Sequence, residues 1–138
     1  MSSYWKGFLQ IPWFIAALLV VGLALTISLR SLADSAADSR KFIFAREVMV
    51  AQKCGSCHTL QAAPLDWNAT IGPDLTHQAR RGRSAEWLRR HLQDPAYIPD
   101  GDLEPPFRGK QKLMPSFEHL SDKELDAVIW FLTSSSPR

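Results

Sequence analysis

The sequence predicts an all-α protein: one N-terminal transmembrane helix followed by a small helical domain. Three observations predict it. From Phe8 to Leu29 the chain reads FLQIPWFIAALLVVGLALTISL, without a charge. Three later segments repeat their apolar residues every three or four positions, which is the helical period. The connections between them are rich in proline, glycine and short polar residues, which punctuate helices and leave strands little room.

The first element is the apolar run. At about 1.5 Å per residue, a helix over Phe8–Leu29 spans ~30 Å, the thickness of a bilayer core. Trp5 and Trp13 sit at its outer turns, as interfacial aromatics do, and Pro12 falls near the helix start, where a missing N–H matters least. A cleaved signal peptide is the competing reading, because Ser31-Leu32-Ala33 offers a small-residue cleavage site. The run exceeds an ordinary signal core of ~7–15 residues, and only Lys6 marks a basic leader, which favours an uncleaved anchor. Residues 1–30 are therefore read as the anchor and residues 31–40 as a tether. The tether, SLADSAADS followed by Arg40, is small and polar, extended or partly helical.

Residues 41–138 are long enough for one small domain. A first helix is expected from Lys41 to Lys53, with Phe42, Ala45, Val48, Met49 and Gln52 on one side. Met49 reads as core packing, since methionine fills irregular gaps. Residues 60–76 read as a loop containing Pro64, Asp66-Trp67-Asn68 and Ile71-Gly72-Pro73-Asp74-Leu75. A second helix starts after Ser84, a good N-cap, and stops before Asp94-Pro95; Trp87, Leu88, His91 and Leu92 form its apolar side. A proline-rich stretch follows from Pro95 to Pro115. The last helix opens at Ser121-Asp122-Lys123-Glu124, a capping box, with Leu120 and Leu125 as the staple. Leu125, Val128, Ile129 and Leu132 make its stripe, and the chain ends in a polar tail.

The chemistry is concentrated in Cys54-Gly55-Ser56-Cys57-His58. C-x-x-C-H is the spacing at which two thiols bond to the two vinyl groups of one haem while the adjacent histidine ligates its iron. A redox or zinc C-x-x-C is the alternative, but the chain has only these two cysteines, and His77, His91 and His119 are not spaced as a zinc finger. The cofactor read from the motif is one covalent haem c, attached through Cys54 and Cys57, with His58 as an axial ligand. Attachment follows export, which puts the N-terminus in the cytoplasm and the haem domain outside. Lys6 before the span and Arg30, Arg40 and Lys41 after it oppose that orientation weakly by charge counting. A sixth ligand is read at Met114, in a loop just before the last helix, where a thioether favours Fe(II). His119 and an open sixth position stay as alternatives. Trp67 reads as a wall residue of the haem pocket or as a partner contact.

The order helix, C-x-x-C-H, Gly-Pro-Asp-Leu, helix, Met-Pro-x-Phe, Leu-Ser-x-x-Glu-Leu, helix resembles a class I cytochrome c from about Lys41 to Leu132. The resemblance implies the all-α cytochrome fold with its first and last helices crossing. It also implies that the Pro73 carbonyl accepts a hydrogen bond from His58. Two residues depart from that family: Ala45 stands where a glycine is usual and Met49 where an aromatic is usual. One span, a short tether and one haem domain resemble the small cytochrome subunit of bacterial nitric oxide reductase, with Met114-Pro115-Ser116-Phe117 in place of Met-Pro-Gln-Phe. Gly72-Pro73-Asp74-Leu75, Arg83-Ser84, Glu86-Trp87, His91-Leu92 and Asp94-Pro95 are similar to monohaem cytochromes of cbb3- and caa3-type oxidases.

These resemblances imply a cytochrome on the periplasmic side of a bacterial inner membrane. It passes single electrons to, or within, a membrane-integral oxygen or nitric oxide reductase, with the bc1 complex or a soluble cytochrome c as donor. A free tethered shuttle, and a haem gas sensor or peroxidase, remain the alternatives. Net charge is +2 before the haem propionates are counted, so nothing suggests nucleic-acid binding. Arg80, Arg81, Arg83, Arg89 and Arg90 precede Asp94, Asp100, Asp102 and Glu104, reading either as a dipole that orients docking or as a solvated surface.

Overall fold

The computed structural model describes residues 10–62, 65–97, 101, 105–108 and 113–134. Trp5, Lys6, Pro64, Asp100, Asp102, Glu104 and the C-terminal tail from residue 135 lie outside the described residues. The chain separates into two compact units, Met1–Ser39 and Arg40–Arg138.

Helix α1 runs Gln10–Ala51. In the first unit its side chains from Trp13 through Leu32 are exposed, Leu18 to 72%. It is long and apolar enough, by length and composition, to cross a membrane. Its polar residues do not interrupt it. The Thr26 hydroxyl donates to Leu23 O at 2.8 Å, Ser28 to Ala24 O at 2.9 Å and Ser31 to Ser28 O at 3.0 Å, which satisfies each hydroxyl within the helix. Residues 31–40, expected as a tether, are helical throughout. Ala33, Ala36 and Ala37 favour helix, no glycine or proline breaks it, and Ser39 Oγ bonds back to Ser35 O at 2.8 Å.

The second unit is built from the end of α1, helix α2 (Ala85–Gln93) and helix α3 (Asp122–Ser134). Phe42 of α1 packs on Phe131 of α3, ring centroids 5.3 Å apart. Beside that pair, Lys41 lies over Trp130 at 5.7 Å and Lys123 over Phe44 at 5.0 Å. Ala45 is fully buried and Met49 is 1% exposed, so the small and flexible residues noted in the sequence pack in the core with Leu60, Leu125 and Phe131. Arg89 joins α2 to α3 by bonding Asp122 at 3.1 Å and also Asp126; such surface pairs contribute about 0–1 kcal/mol.

The caps form as the sequence reads. Ser84 Oγ accepts from Trp87 N at 3.0 Å, and Asp94 closes α2 with its N–H on Arg90 O at 2.8 Å. Ser121 N donates to Glu124 Oε2 at 2.8 Å, completing the box at α3, and Leu120 and Leu125 are both buried. That hydroxyl and N–H hold the Glu124 carboxyl below its usual range.

Residues 60–76 differ from expectation. In place of a plain loop, Thr59–Ala62 (β1) pairs antiparallel with Leu65–Asn68 (β2). Leu60 lies opposite Trp67, and this pair explains the hairpin: one face of a strand too short to show a period is sealed by an indole.

Helix α1 ends in an αL cap. Lys53 has φ 57° and is the one non-glycine residue with positive φ among the described residues. Its carbonyl accepts from both the Ser56 N–H at 2.9 Å and the Ser56 hydroxyl at 2.7 Å. A β-carbon in this conformation costs about 1–2 kcal/mol. Lys53→Gly is therefore expected to raise the urea unfolding free energy by about 1 kcal/mol, and an unchanged or lower value would contradict this strain.

Candidate haem site

The turn that follows Lys53 carries the pentapeptide. Cys54–Ser56 form one turn of 3-10 helix, and His58 N donates to Cys54 O at 3.1 Å, so the two thiols and the imidazole are presented from a compact knot. Cys54, Cys57, His58 and Met114 all line one cavity of about 520 Å³, within the range of about 300–1,000 Å³ usual for bound organic groups. Its walls are largely apolar: Met49, Ile71, Leu75, Trp87, Leu88, Leu92, Phe107, Leu113, Val128 and Leu132. These residue types and this volume fit a porphyrin held at one edge by thioethers.

His58 is fixed by its neighbours. Nδ1 lies 2.7 Å from Pro73 O. A carbonyl only accepts, so Nδ1 carries the proton and Nε2 keeps its lone pair for a metal. Burial pushes the His58 pKa down, the Pro73 carbonyl pulls it partly back up, and Arg81 lowers it further. Gly72 is required here: a β-carbon would lie 2.6 Å from His58 Cε1 and 2.8 Å from Nδ1. Burial likewise pushes the Cys54 thiol up to about 11, with Cys57 adding to the shift, so the free thiol is a poor nucleophile on its own.

Met114 is half-buried and reaches the cavity because its loop is fastened to the end of α2. Phe117 N donates to Leu92 O at 2.8 Å and Ser116 Oγ donates to Gln93 O at 2.5 Å. Those bonds satisfy carbonyls that a helix C-terminus leaves without partners. Nothing in the local pattern announced this fastening, since its two sides are more than twenty residues apart in the chain.

The remaining nominated residues are placed as follows. His119 bonds Gln52 Oε1 at 3.1 Å and does not line the cavity; His77 is exposed. His91 does line it, stacked on Trp87 at 5.0 Å, and Arg83 lies over the same indole at 4.4 Å. Trp67, read as a pocket wall, does not line the cavity. Strand pairing turns its ring onto Gly55 instead, where a β-carbon would meet the indole at 2.6–2.8 Å. The arginine run is also not a simple docking patch. Arg81 donates to Asp74 O at 2.8 Å and lines the cavity, Arg83 covers Trp87, and Arg89 is held by Asp122 and Asp126. Among the described residues no group of three or more His, Cys, Asp and Glu side chains could hold a metal ion.

Residues 45–136 match the family model for cytochrome c. No curated protein and no solved structure matches the chain.

The Gly55–Trp67 contact yields a test. Gly55→Ala is expected to destabilise the holoprotein by about 1–3 kcal/mol, as overpacking does, and to lower the haem-to-protein ratio. Adding Trp67→Leu should recover most of both losses. A Gly55→Ala protein that melts and loads like the parent would refute the contact.

Proposed function

The chain belongs to the cytochrome c family, its cofactor is covalent haem c and its role is electron transfer; on that footing we propose that it is a membrane-anchored carrier feeding a respiratory reductase. The observation that carries the reading is the convergence of Cys54, Cys57, His58 and Met114 on one apolar cavity. Cys54 and Cys57 would hold the group through thioethers, each thiol adding across one vinyl with its proton going to the neighbouring carbon, a redox-neutral attachment. Bound in this way, the iron supplies a one-electron Fe(III)/Fe(II) couple.

The protein's own residues decide how that couple behaves. His58 would ligate through Nε2, because Nδ1–H is committed to Pro73 O. Met114 would supply a thioether, which favours Fe(II) and would keep gases and peroxide from the iron. The apolar wall excludes water and keeps reorganisation on electron transfer small. Lys53, Arg81 and Arg83 line the cavity, and Arg81, Arg83 and His91 suit the carboxylate side of the group.

The long exposed apolar helix supports a membrane-embedded segment, since leaving that surface in water costs roughly 25 cal/mol per Å², and its length beyond an ordinary signal core favours an uncleaved anchor. Haem attachment outside the cytoplasm then places residues 41–138 on the periplasmic side of a bacterial inner membrane, joined to the anchor of residues 1–30 through residues 31–40. At that surface the carrier takes single electrons from a donor such as the bc1 complex or a soluble cytochrome c. It delivers them to, or within, a membrane-integral oxygen or nitric oxide reductase of the haem-copper group.

Two measurements test the proposal. Met114→Ala is expected to convert a reduced protein that binds carbon monoxide slowly into one that binds it at once, with a new absorption spectrum; an unchanged spectrum would remove Met114 as ligand. Affinity purification of the tagged full chain from detergent-solubilised native membranes is expected to bring down a large haem-bearing subunit in equal amount. A chain recovered alone, still red, would instead identify a tethered shuttle.

A further inference from the structure

The segment carrying His58 and the segment carrying Pro73 are clasped together by three rungs. Gly72 N donates to Cys57 O at 2.7 Å, and Leu75 N donates to Thr59 O at 2.9 Å. The third rung uses a side chain: Gln61 N donates to Thr76 Oγ1 at 3.0 Å. Pro73, whose carbonyl faces His58 Nδ1, hangs between the first two rungs. Its far side is held through Thr76 as well, because Thr76 N donates to Asp74 Oδ1 at 2.7 Å and closes an Asx turn over Leu75. Arg81 fixes the same residue by donating to Asp74 O. Burial raises the Asp74 pKa, but the Thr76 hydroxyl and N–H together with Arg81 bring it below the usual carboxylate range.

Thr76 is only 6% exposed. Valine would fill the same volume without burying a hydroxyl, so the hydroxyl needs a use. Neither Thr76 nor Asp74 lines the cavity.

We infer that Thr76 is a positioning residue for the axial histidine: its hydroxyl and N–H hold the Pro73 carbonyl against His58 Nδ1. That hydrogen bond raises the basicity of the imidazole and stabilises Fe(III). Weakening the clasp lets the carbonyl retreat, lowers ligand basicity and raises the midpoint potential. The inference rests on His58 being the iron ligand.

The test uses the full-length holoprotein in detergent. Thr76→Val is expected to raise the midpoint potential, move the His58 Nδ1–H proton resonance and speed its exchange with solvent, while Thr76→Ser restores all three. A Thr76→Val protein that only loses thermal stability, with potential and resonance unmoved, would reduce Thr76 to a structural role and overturn the inference. Should Thr76→Val fail to fold, Asp74→Ala and Asp74→Asn decide. Both remove the charge, but only alanine removes the acceptor that holds Thr76 N. The potential and the resonance are expected to shift further in Asp74→Ala, and equal values in the two variants would overturn the inference. Failure of the underlying reading looks different, because His58→Ala would then leave the native absorption spectrum intact.

Discussion

The domain from Arg40 onward is organised around a space that its own side chains do not fill. Protein interiors are normally packed to the density of organic crystals, yet here Met49, Leu88, Leu92, Val128 and Leu132 turn apolar surface towards a common cavity of about 520 Å³. A group seated there covers that apolar surface, each Å² withdrawn from water contributing roughly 25 cal/mol. Haem is therefore part of the core as well as the redox centre. The contacts that do not depend on it, Phe42 on Phe131 and buried Ala45, mark the corner where α1 and α3 pack directly. Everything else, from the αL cap at Lys53 to the fastening of the Met114 loop on α2, serves to bring ligands to the edge of that space.

The two proposed iron ligands are positioned by backbone hydrogen bonds more than by side-chain contacts. His58 owes its tautomer to one carbonyl, and that carbonyl owes its place to Gly72 N, Leu75 N and the Thr76–Asp74 turn. Met114 owes its reach to Ser116 and Phe117, which use the leftover acceptors of a helix end. The two proposed ligands are thus positioned in different ways, one braced by the neighbouring segment and the other held on a distant helix end.

How much of this was legible beforehand follows from the range of the interactions. Cys54 to His58 are contiguous, and the caps at Ser84 and Ser121 act within four residues, so their spacing alone carries the information. The β1–β2 hairpin was read as loop because TLQA and LDWN are too short to show a period, and their pairing depends on Trp67 meeting Leu60. Residues 31–40 look like a linker by composition, yet three alanines and back-bonded serines make them helix. The size of Trp67 points to a pocket wall or a partner contact, and its place against Gly55 depends on strand pairing that composition does not reveal. The bonds from Phe117 to Leu92 and from Gln61 to Thr76 join residues whose partners no local pattern names.

The indole over Gly55 also constrains how this chain can change over generations. Within C-x-x-C-H the two middle positions are nominally free, but position 55 has no room for a β-carbon while Trp67 stands against it. The two sites cannot drift independently. A larger residue at position 55 costs least once the tryptophan has gone, and while the tryptophan stays the glycine is the favoured residue. Sterics therefore bias the order in which these two positions change.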